Sequence, residues 1–274
     1  MKTNNFLSGA LLCAFVVVFV ACNGNNPENT DNTGGTDSGI TADGACSHAF
    51  QVSASGKKVY FSKGNLQYQA STDTWRFAVS QYDYRGKDNK NISMSYSGWI
   101  DLFGWGTGNN PTLTSNDYKD YATFTDWGVN VISNGGNKAN QWRTLTPDEW
   151  EYVFTNSLHI PAIVCGVGGR LLFPSDWKWP DGLASSTDAT SNTINVYTVQ
   201  QWQQLQQAGA VFLPASGYRD GTDVYYVGDV GYYWSTTPYD KGNAWGLCIN
   251  SDEADIIHCG RRFALSVRLV RDVK

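Results

Sequence analysis

The sequence predicts an α+β fold, antiparallel sheets joined by long loops and carrying two helices, and three observations predict it. The closing stretch places Phe263, Leu265, Val267 and Leu269 on every second position, with Arg262, Ala264, Ser266 and Arg268 between them. That is the period of a half-buried strand. Ahead of it stand Tyr232-Tyr-Trp-Ser-Thr-Thr237, Ala244-Trp-Gly-Leu-Cys-Ile249 and Asp255-Ile-Ile-His-Cys259, aromatic and β-branched runs separated by Gly, Asp and Asn turns, so four or five antiparallel strands fill residues 211–271. Thr146-Pro-Asp-Glu149 and Thr198-Val-Gln-Gln201 each set a threonine three residues before an acid or amide, the capping-box signature of a helix start.

Taken in order, the chain opens with Lys2 and an apolar run over residues 6–21. The run is too short to span a bilayer comfortably and stands where a secretory signal belongs, so residues 1–21 are expected to be a signal peptide. Val20-Ala-Cys-Asn23 resembles the lipobox of bacterial lipoproteins, in which cleavage precedes the cysteine and the cysteine is acylated; Phe19 departs from the commoner leucine. Cys22 is therefore the candidate lipid anchor, ahead of Cys13, whose neighbour Leu12 lacks the small side chain that cleavage needs. A plain secretory signal with Cys22 incidental is the alternative. Several acyl chains on one residue would anchor the chain to a membrane stably, each buried methylene contributing about 0.8 kcal/mol. Residues 22–45 are Asn, Thr, Gly, Asp and Ser with almost nothing apolar and read as a flexible tether. Residues 46–274 remain as a single folded domain. The expected location is an exported lipoprotein of the outer membrane, at the cell surface, with the periplasmic face left open.

Within that domain, residues 57–69 and 74–79 read as strands separated by a Ser-Thr-Asp turn. Residues 82–140 are loop-rich, with isolated aromatics such as Trp99, Phe103, Trp105 and Trp127; loops this long are either packed by their own rings or functional. Helical spacing follows each capping box, through Trp150, Val153 and Phe154 in one and Trp202 and Leu205 in the other, with Gly209 as the stop. The acids Asp148, Glu149 and Glu151 are thereby explained by the helix dipole and the box rather than by catalysis. Residues 171–177 read as a short buried strand or turn, and 179–192 as a loop.

Composition excludes one class of partner. Charged residues are only 16% of the chain, the net charge is -5, and there are 11 Trp, 15 Tyr and 12 Phe; nucleic acid instead selects clustered Lys and Arg. Gly104-Trp-Gly-Thr-Gly108 and Gly166-Val-Gly-Gly169 fail as phosphate loops, the first lacking Gly-Lys-Ser/Thr and the second having Leu171 at the third glycine position. His48, His159 and His258 lack metal-ligand spacing, and no serine lies in Gly-x-Ser-x-Gly. No cofactor and no metal is expected, and the chain is not expected to be an enzyme. Trp75, Trp142, Trp150, Trp202 and Trp234 sit in strand or helix patterns and are expected in the core; Trp99, Trp105, Trp127, Trp179 and Trp245 stay open between core and surface.

Beyond the anchor, the folded part holds Cys46, Cys165, Cys248 and Cys259. An exported chain meets an oxidising compartment, and an even count favours disulfides, with three connectivities open. Cys248 and Cys259 sit symmetrically about Ser251-Asp-Glu-Ala-Asp255, so a hairpin in that register would set them face to face and a bridge would contribute about 2–4 kcal/mol. Cys46 and Cys165 would then pair by elimination.

The order of elements, strands then two helices then antiparallel strands ending in one that could pair with the first, is similar to the C-type lectin-like fold. More specifically, the chain resembles the Fibrobacter succinogenes major paralogous domain family, exported and mostly lipid-anchored bacterial proteins. The resemblance is carried by Phe61-Ser-Lys-Gly-Asn-Leu-Gln-Tyr68, Trp75-Arg-Phe77, Gly98-Trp-Ile-Asp-Leu-Phe-Gly-Trp-Gly-Thr107, Ser133-Asn-Gly-Gly-Asn137, Trp142-Arg-Thr-Leu-Thr146 with Glu149-Trp150, Gly209-Ala-Val-Phe-Leu-Pro-Ala215, Gly217-Tyr-Arg219, Tyr233-Trp-Ser-Thr236 and Ser266-Val-Arg-Leu-Val-Arg271. It implies a fold and a location but no catalytic residues. The Glu-Pro-Asn, Gln-Pro-Asp and Trp-Asn-Asp motifs of calcium-dependent lectins are missing from the sequence, and the redox-active cysteine pair of the formylglycine-generating branch has no match if Cys248 and Cys259 are structural.

A strand scaffold with variable loops implies a binding surface between residues 218 and 262. The candidate ligand-binding residues are Asp223, Tyr225, Tyr226, Tyr239, Asp240, Asn243, Asn250, Asp252, Glu253 and Arg261, of the Tyr, Asn and Asp types that adaptable recognition surfaces use; ordinary solvated turns are the alternative. The expected function is a lipid-anchored, non-enzymatic binding protein of the bacterial envelope that recognises a protein or glycan ligand. The alternative is a structural or tip component of a surface appendage.

Overall fold

The computed structural model describes residues 39–184 and 195–274. The signal peptide, the anchor Cys22 and the tether up to residue 38 lie outside the described residues. In chain order the elements are β1 (Phe50–Gln51), β2 (Lys58–Phe61), β3 (Leu66–Gln69), β4 (Thr74–Phe77), β5 (Leu102–Phe103), α1 (Pro147–Asn156), β6 (His159–Val164), β7 (Val167–Leu172), β8 (Asn195–Tyr197), α2 (Val199–Gln207), β9 (Val211–Pro214), β10 (Tyr218–Asp220), β11 (Asp223–Tyr225), β12 (Gly231–Pro238), β13 (Asn243–Ile249), β14 (Ala254–Gly260), β15 (Leu265–Ser266) and β16 (Val270–Asp272). This is a mixed α+β architecture with mostly antiparallel pairing. Among the described residues no helix is long and apolar enough to cross a membrane.

The largest sheet has five strands in the order β14-β13-β12-β15-β5, and a second has four in the order β8-β6-β7-β9. A three-stranded sheet, β1-β2-β16, ties the last strand to the first two: Val270, Arg271 and Asp272 pair antiparallel with Phe61, Tyr60 and Val59. The sequence of the β6–β7 hairpin hid it, because Pro161 and three glycines dilute its β-branched residues below a recognisable strand pattern.

Both helices start as their sequences dictate. The Thr146 hydroxyl accepts from the Glu149 N–H at 3.2 Å while Glu149 accepts from the Thr146 N–H at 3.0 Å; Thr198 and Gln201 form the same reciprocal pair. With its N-terminus thus satisfied, α1 buries Trp150 and Val153 against Phe50, Val59, Phe61, Tyr233, Leu247 and Val270. In α2, Trp202 and Leu205 join Val164, Leu171 and Phe212 in a separate cluster. A third core collects Tyr68, Trp75, Phe77, Phe103, Trp105, Trp127, Trp142 and Trp234. The five tryptophans expected in the core are all buried, and Trp105 and Trp127 join them. The long stretch of residues 82–140 is accordingly organised by its own rings. The buried indole N–H groups of Trp105 and Trp234 find carbonyls, on Ser235 at 3.0 Å and on Phe103 at 2.7 Å, whereas that of Trp127 meets no partner among the described residues.

Two expectations are corrected here. The closing stretch is not a half-buried strand: Ala264 through Val270 are all buried, because the chain crosses from β12 to β2 through the centre of the molecule, with β15 on one sheet and β16 on another. Its alternation marks two packed faces, and Arg268, on the face read as exposed, is 1% exposed. The tether also ends before residue 45. Ile40 bridges Cys46, Ala45 is fully buried, and Asp43 forms an ion pair with Arg271, so residues 39–45 belong to the folded unit. Ile40 and two alanines are the stretch's apolar side chains, too little to announce it.

Candidate functional site

The ten candidate residues fall into three places. The first is the β10–β11 hairpin, which carries Asp223, Tyr225 and Tyr226. Gly217, at φ 73°, lets the hairpin fold back closely: a Cβ there would collide with the Tyr225 carbonyl. Tyr218 pairs with Tyr225 across the hairpin. Around the Tyr218 ring stand Tyr225, stacked at 5.3 Å, Tyr226 at 6.0 Å, Phe263 at 5.4 Å and Tyr232, perpendicular at 5.6 Å. Tyr225 and Tyr226 remain 43% and 56% exposed, so the cluster opens to solvent through these two rings. Tyr226 is held at φ 54°, a left-handed conformation that bulky residues seldom adopt. Beside the rings, Arg262 donates to Asp220 at 2.9 Å and to Asn116 at 3.3 Å while lying over Phe263. Burial pushes the Tyr232 phenol up to about 12, so it remains a neutral hydrogen-bonding group.

The second place is the turn between β12 and β13, with Tyr239, Asp240, Asn243 and Arg261. Asp240 accepts from the Asn243 side-chain amide at 3.0 Å and from the N–H groups of Gly242 and Asn243 at 2.8 and 2.7 Å, and these bonds, the side-chain amide foremost, hold its carboxyl below the usual range. Tyr239 stacks flat on His258 at 4.2 Å. Arg261 is buried, not presented to a ligand: it donates to the carbonyls of Asn243, Tyr121 and Asp240 and lies 4.5 Å over the Trp105 ring. Tyr118, Lys119, Lys241 and Tyr239 flank a groove of about 500 Å³ beside this turn.

The third place is the turn between β13 and β14. The Asn250 side chain accepts from the N–H groups of Asp252 and Glu253 at 2.7 and 2.8 Å, and buried Arg170 clamps the turn through the carbonyls of Asn250 and Glu253 at 2.9 and 2.7 Å. Asn250 is thus a turn residue, leaving Asp252 and Glu253 exposed. A groove of about 410 Å³ separates this turn from the glycines of β7. Because β13 spans seven residues, the second and third places lie about 20 Å apart. The candidates do not form one site.

The expected Cys248–Cys259 disulfide is overturned. In the β13–β14 hairpin Cys248 pairs with Asp255 and Cys259 with Ala244, so the two thiols are four positions apart along the ladder, and both are free. The turn is tighter than the sequence symmetry implied, since Ala254 and Asp255 extend the strand. Burial pushes the Cys259 thiol up to about 12, which makes it a poor nucleophile. Cys46 and Cys165 are not joined to one another either: Cys46 packs in the α1 core, and Cys165 beside the α2 cluster in the β6–β7 turn.

Sequence reasoning missed Tyr218, Tyr232, Phe263, Arg262 and Asp220, the partners that turn two exposed tyrosines into a surface. Their only signal was the density of tyrosine around Gly217, which gives no register. The buried carboxyl of Asp101, raised by burial to about 6, accepts from Asn89 and from the Arg85 N–H; it is a loop staple. Among the described residues no group of three His, Cys, Asp or Glu could hold a metal ion.

A family model described as a domain of unknown function, DUF8237, matches residues 184–270, a span that contains β9 to β15 and the tyrosine cluster. No curated protein and no solved structure matches the chain.

Proposed function

We propose that the chain is a non-enzymatic, lipid-anchored binding protein of the bacterial envelope, attached to the outer membrane through Cys22 and built on a C-type lectin-like scaffold of the Fibrobacter succinogenes major paralogous domain type. The observation that carries the binding role is Tyr226: a half-exposed aromatic ring in a left-handed backbone position, tilted against Tyr218 beside exposed Tyr225, which stacks on the same ring. Core packing does not require an aromatic there, and the conformation is unfavourable for one, by about 1–3 kcal/mol. The rim of Arg262, Asp220 and Asn116 supplies donors and acceptors beside the apolar ring faces, a combination that fits the C–H face and hydroxyls of a glycan; a protein ligand is the competing outcome. Lipobox-like Val20-Ala-Cys-Asn23 and the apolar run before it support the anchor and export.

The test is capture on glycan and protein arrays. Tyr225→Ala with Tyr226→Ala is expected to lower capture at least tenfold while the thermal midpoint holds, since both rings are half exposed. Unchanged capture would overturn the site, and loss confined to protein spots would replace the glycan by a protein.

A second reading, a structural component of a surface appendage, is favoured by one observation: none of the seven residues of β14, at the edge of the five-stranded sheet, is buried. A stoichiometric complex recovered from the envelope would support it.

A further inference from the structure

The strand β14 lies at the end of its sheet, paired on one side with β13 in an unbroken register from Asn243↔Gly260 to Ile249↔Ala254. The turn N–H of Asn250 bonds the Glu253 carbonyl, and the Arg261 N–H bonds the Gly242 carbonyl. In an antiparallel ladder, hydrogen-bonded pairs alternate with non-bonded ones. The bonded pairs are therefore Cys248–Asp255, Gly246–Ile257 and Ala244–Cys259, and the backbone groups of Ala254, Ile256, His258 and Gly260 point away from β13. Among the described residues the N–H and C=O of Ile256 and His258 meet no hydrogen-bonding partner.

Proteins that leave such an edge open guard it with lysine, proline or a bulge. The strand Ala-Asp-Ile-Ile-His-Cys-Gly has none of these, and its one charged side chain is Asp255 near the start. Ile257 adds an independent sign: partly buried, it belongs to none of the three hydrophobic clusters, whereas its equally part-buried neighbour Ile256 packs on the α1 core.

We infer that β14 pairs edge to edge with β14 of a second copy of this chain, about a two-fold axis at Ile257, joining the two five-stranded sheets into one. A second copy is the occupant because the strand is self-complementary. With the axis at Ile257, Ile256 stands opposite His258 of the other copy, and each outward N–H meets an outward C=O. The two Ile257 side chains meet across the axis. Asp255, the strand's one carboxylate, falls opposite Cys259, which keeps the two carboxylates about 13 Å apart along the ladder, so no like charges face each other. The interface lies on the backbone edge and is independent of what the tyrosine surface binds.

Sedimentation of the whole chain in mild detergent tests this. The wild type is expected at twice the protomer mass and Ile257→Lys, which brings two ammonium groups together at the axis, at the protomer mass with an unchanged melt. His258→Pro removes one outward N–H that β13 does not use and is expected to weaken the dimer as well. A monomeric wild type, or a folded Ile257→Lys that stays dimeric, overturns the proposal. Should Ile257→Lys misfold, hydrogen exchange of the wild type decides: slow Ile256 and His258 amides support pairing and fast ones overturn it. Co-purification with a different subunit in place of the second copy supports the assembly reading above and overturns self-pairing.

Discussion

His159 lies against the Phe154 ring at 4.9 Å, its Nδ1 accepting from Arg170 Nε at 3.0 Å and its Nε2 facing the Phe154 carbonyl at 3.1 Å. That network assigns the proton to Nε2 and the ring to its neutral form. Burial, and then the charge of Arg170, hold its pKa below the ordinary value; Arg170 is itself faced by Asp252, Glu253 and Asp255. The unfolded chain therefore takes up a proton near pH 6.5 that the folded chain refuses, and this residue's contribution to stability is present above pH 6.5 and lost as pH falls below it. His159→Gln is expected to flatten the fall in urea midpoint between pH 7.5 and 5.5; identical slopes in the two proteins would refute the assignment. The same residue scale holds a feature no pattern announced. Arg170, Arg219, Arg261 and Arg268 are buried, and their hydrogen bonds run to carbonyls, Gln, Asn and His rather than to carboxylates. Arg170, Arg219 and Arg261 act as multi-pronged staples for backbone carbonyls, and Arg268 joins the side chains of Asn65 and Gln81. Sequence reasoning assigned Arg261 to a ligand because an arginine in a turn is usually solvated.

Among elements, the helices were the most readable, because a capping box is a local device whose donors and acceptors lie within four residues. Thr146→Ala and Thr198→Ala are each expected to cost about 1 kcal/mol, measured by urea denaturation, and Thr146→Ser to restore most of the loss; an Ala variant as stable as wild type would show that the box contributes nothing. The strands of residues 231–260 were readable from composition, but their register was not. Whether Asn250-Ser-Asp-Glu253 or a wider turn reverses the chain depends on the Asn250 side chain and on Arg170, which arrives from a strand some eighty positions away. A shift of that turn separates Cys248 from Cys259. It also decides that the candidate residues between Tyr239 and Glu253 lie at opposite ends of β13.

For the whole molecule the closure of the chain is the deciding contact. Arg143 bonds Glu149 at 2.7 Å and Asp272 at 2.8 Å, and Lys57 reaches Glu149 at 3.0 Å, so the helix start, the last strand and the second strand meet in one ionic cluster. Although burial works against its charge, hydrogen bonds from Arg143, the Thr146 N–H and Lys57 hold the Glu149 carboxyl below its ordinary range. Arg143→Ala is expected to destabilise by about 2 kcal/mol, less than the loss of a fully buried pair because Lys57 remains; a variant within error of wild type in urea would show that Lys57 alone suffices. The sequence by itself determined the α+β class, both helices, the main strands and the core role of five tryptophans, since these follow from periodicity and capping within a few residues. Only the tertiary structure decided the burial of Arg268, the separation of the cysteines and the gathering of Tyr218, Tyr225, Tyr226, Tyr232 and Phe263 into one surface. Those depend on register and on contacts between distant segments, where a shift of one or two residues changes which side chains meet.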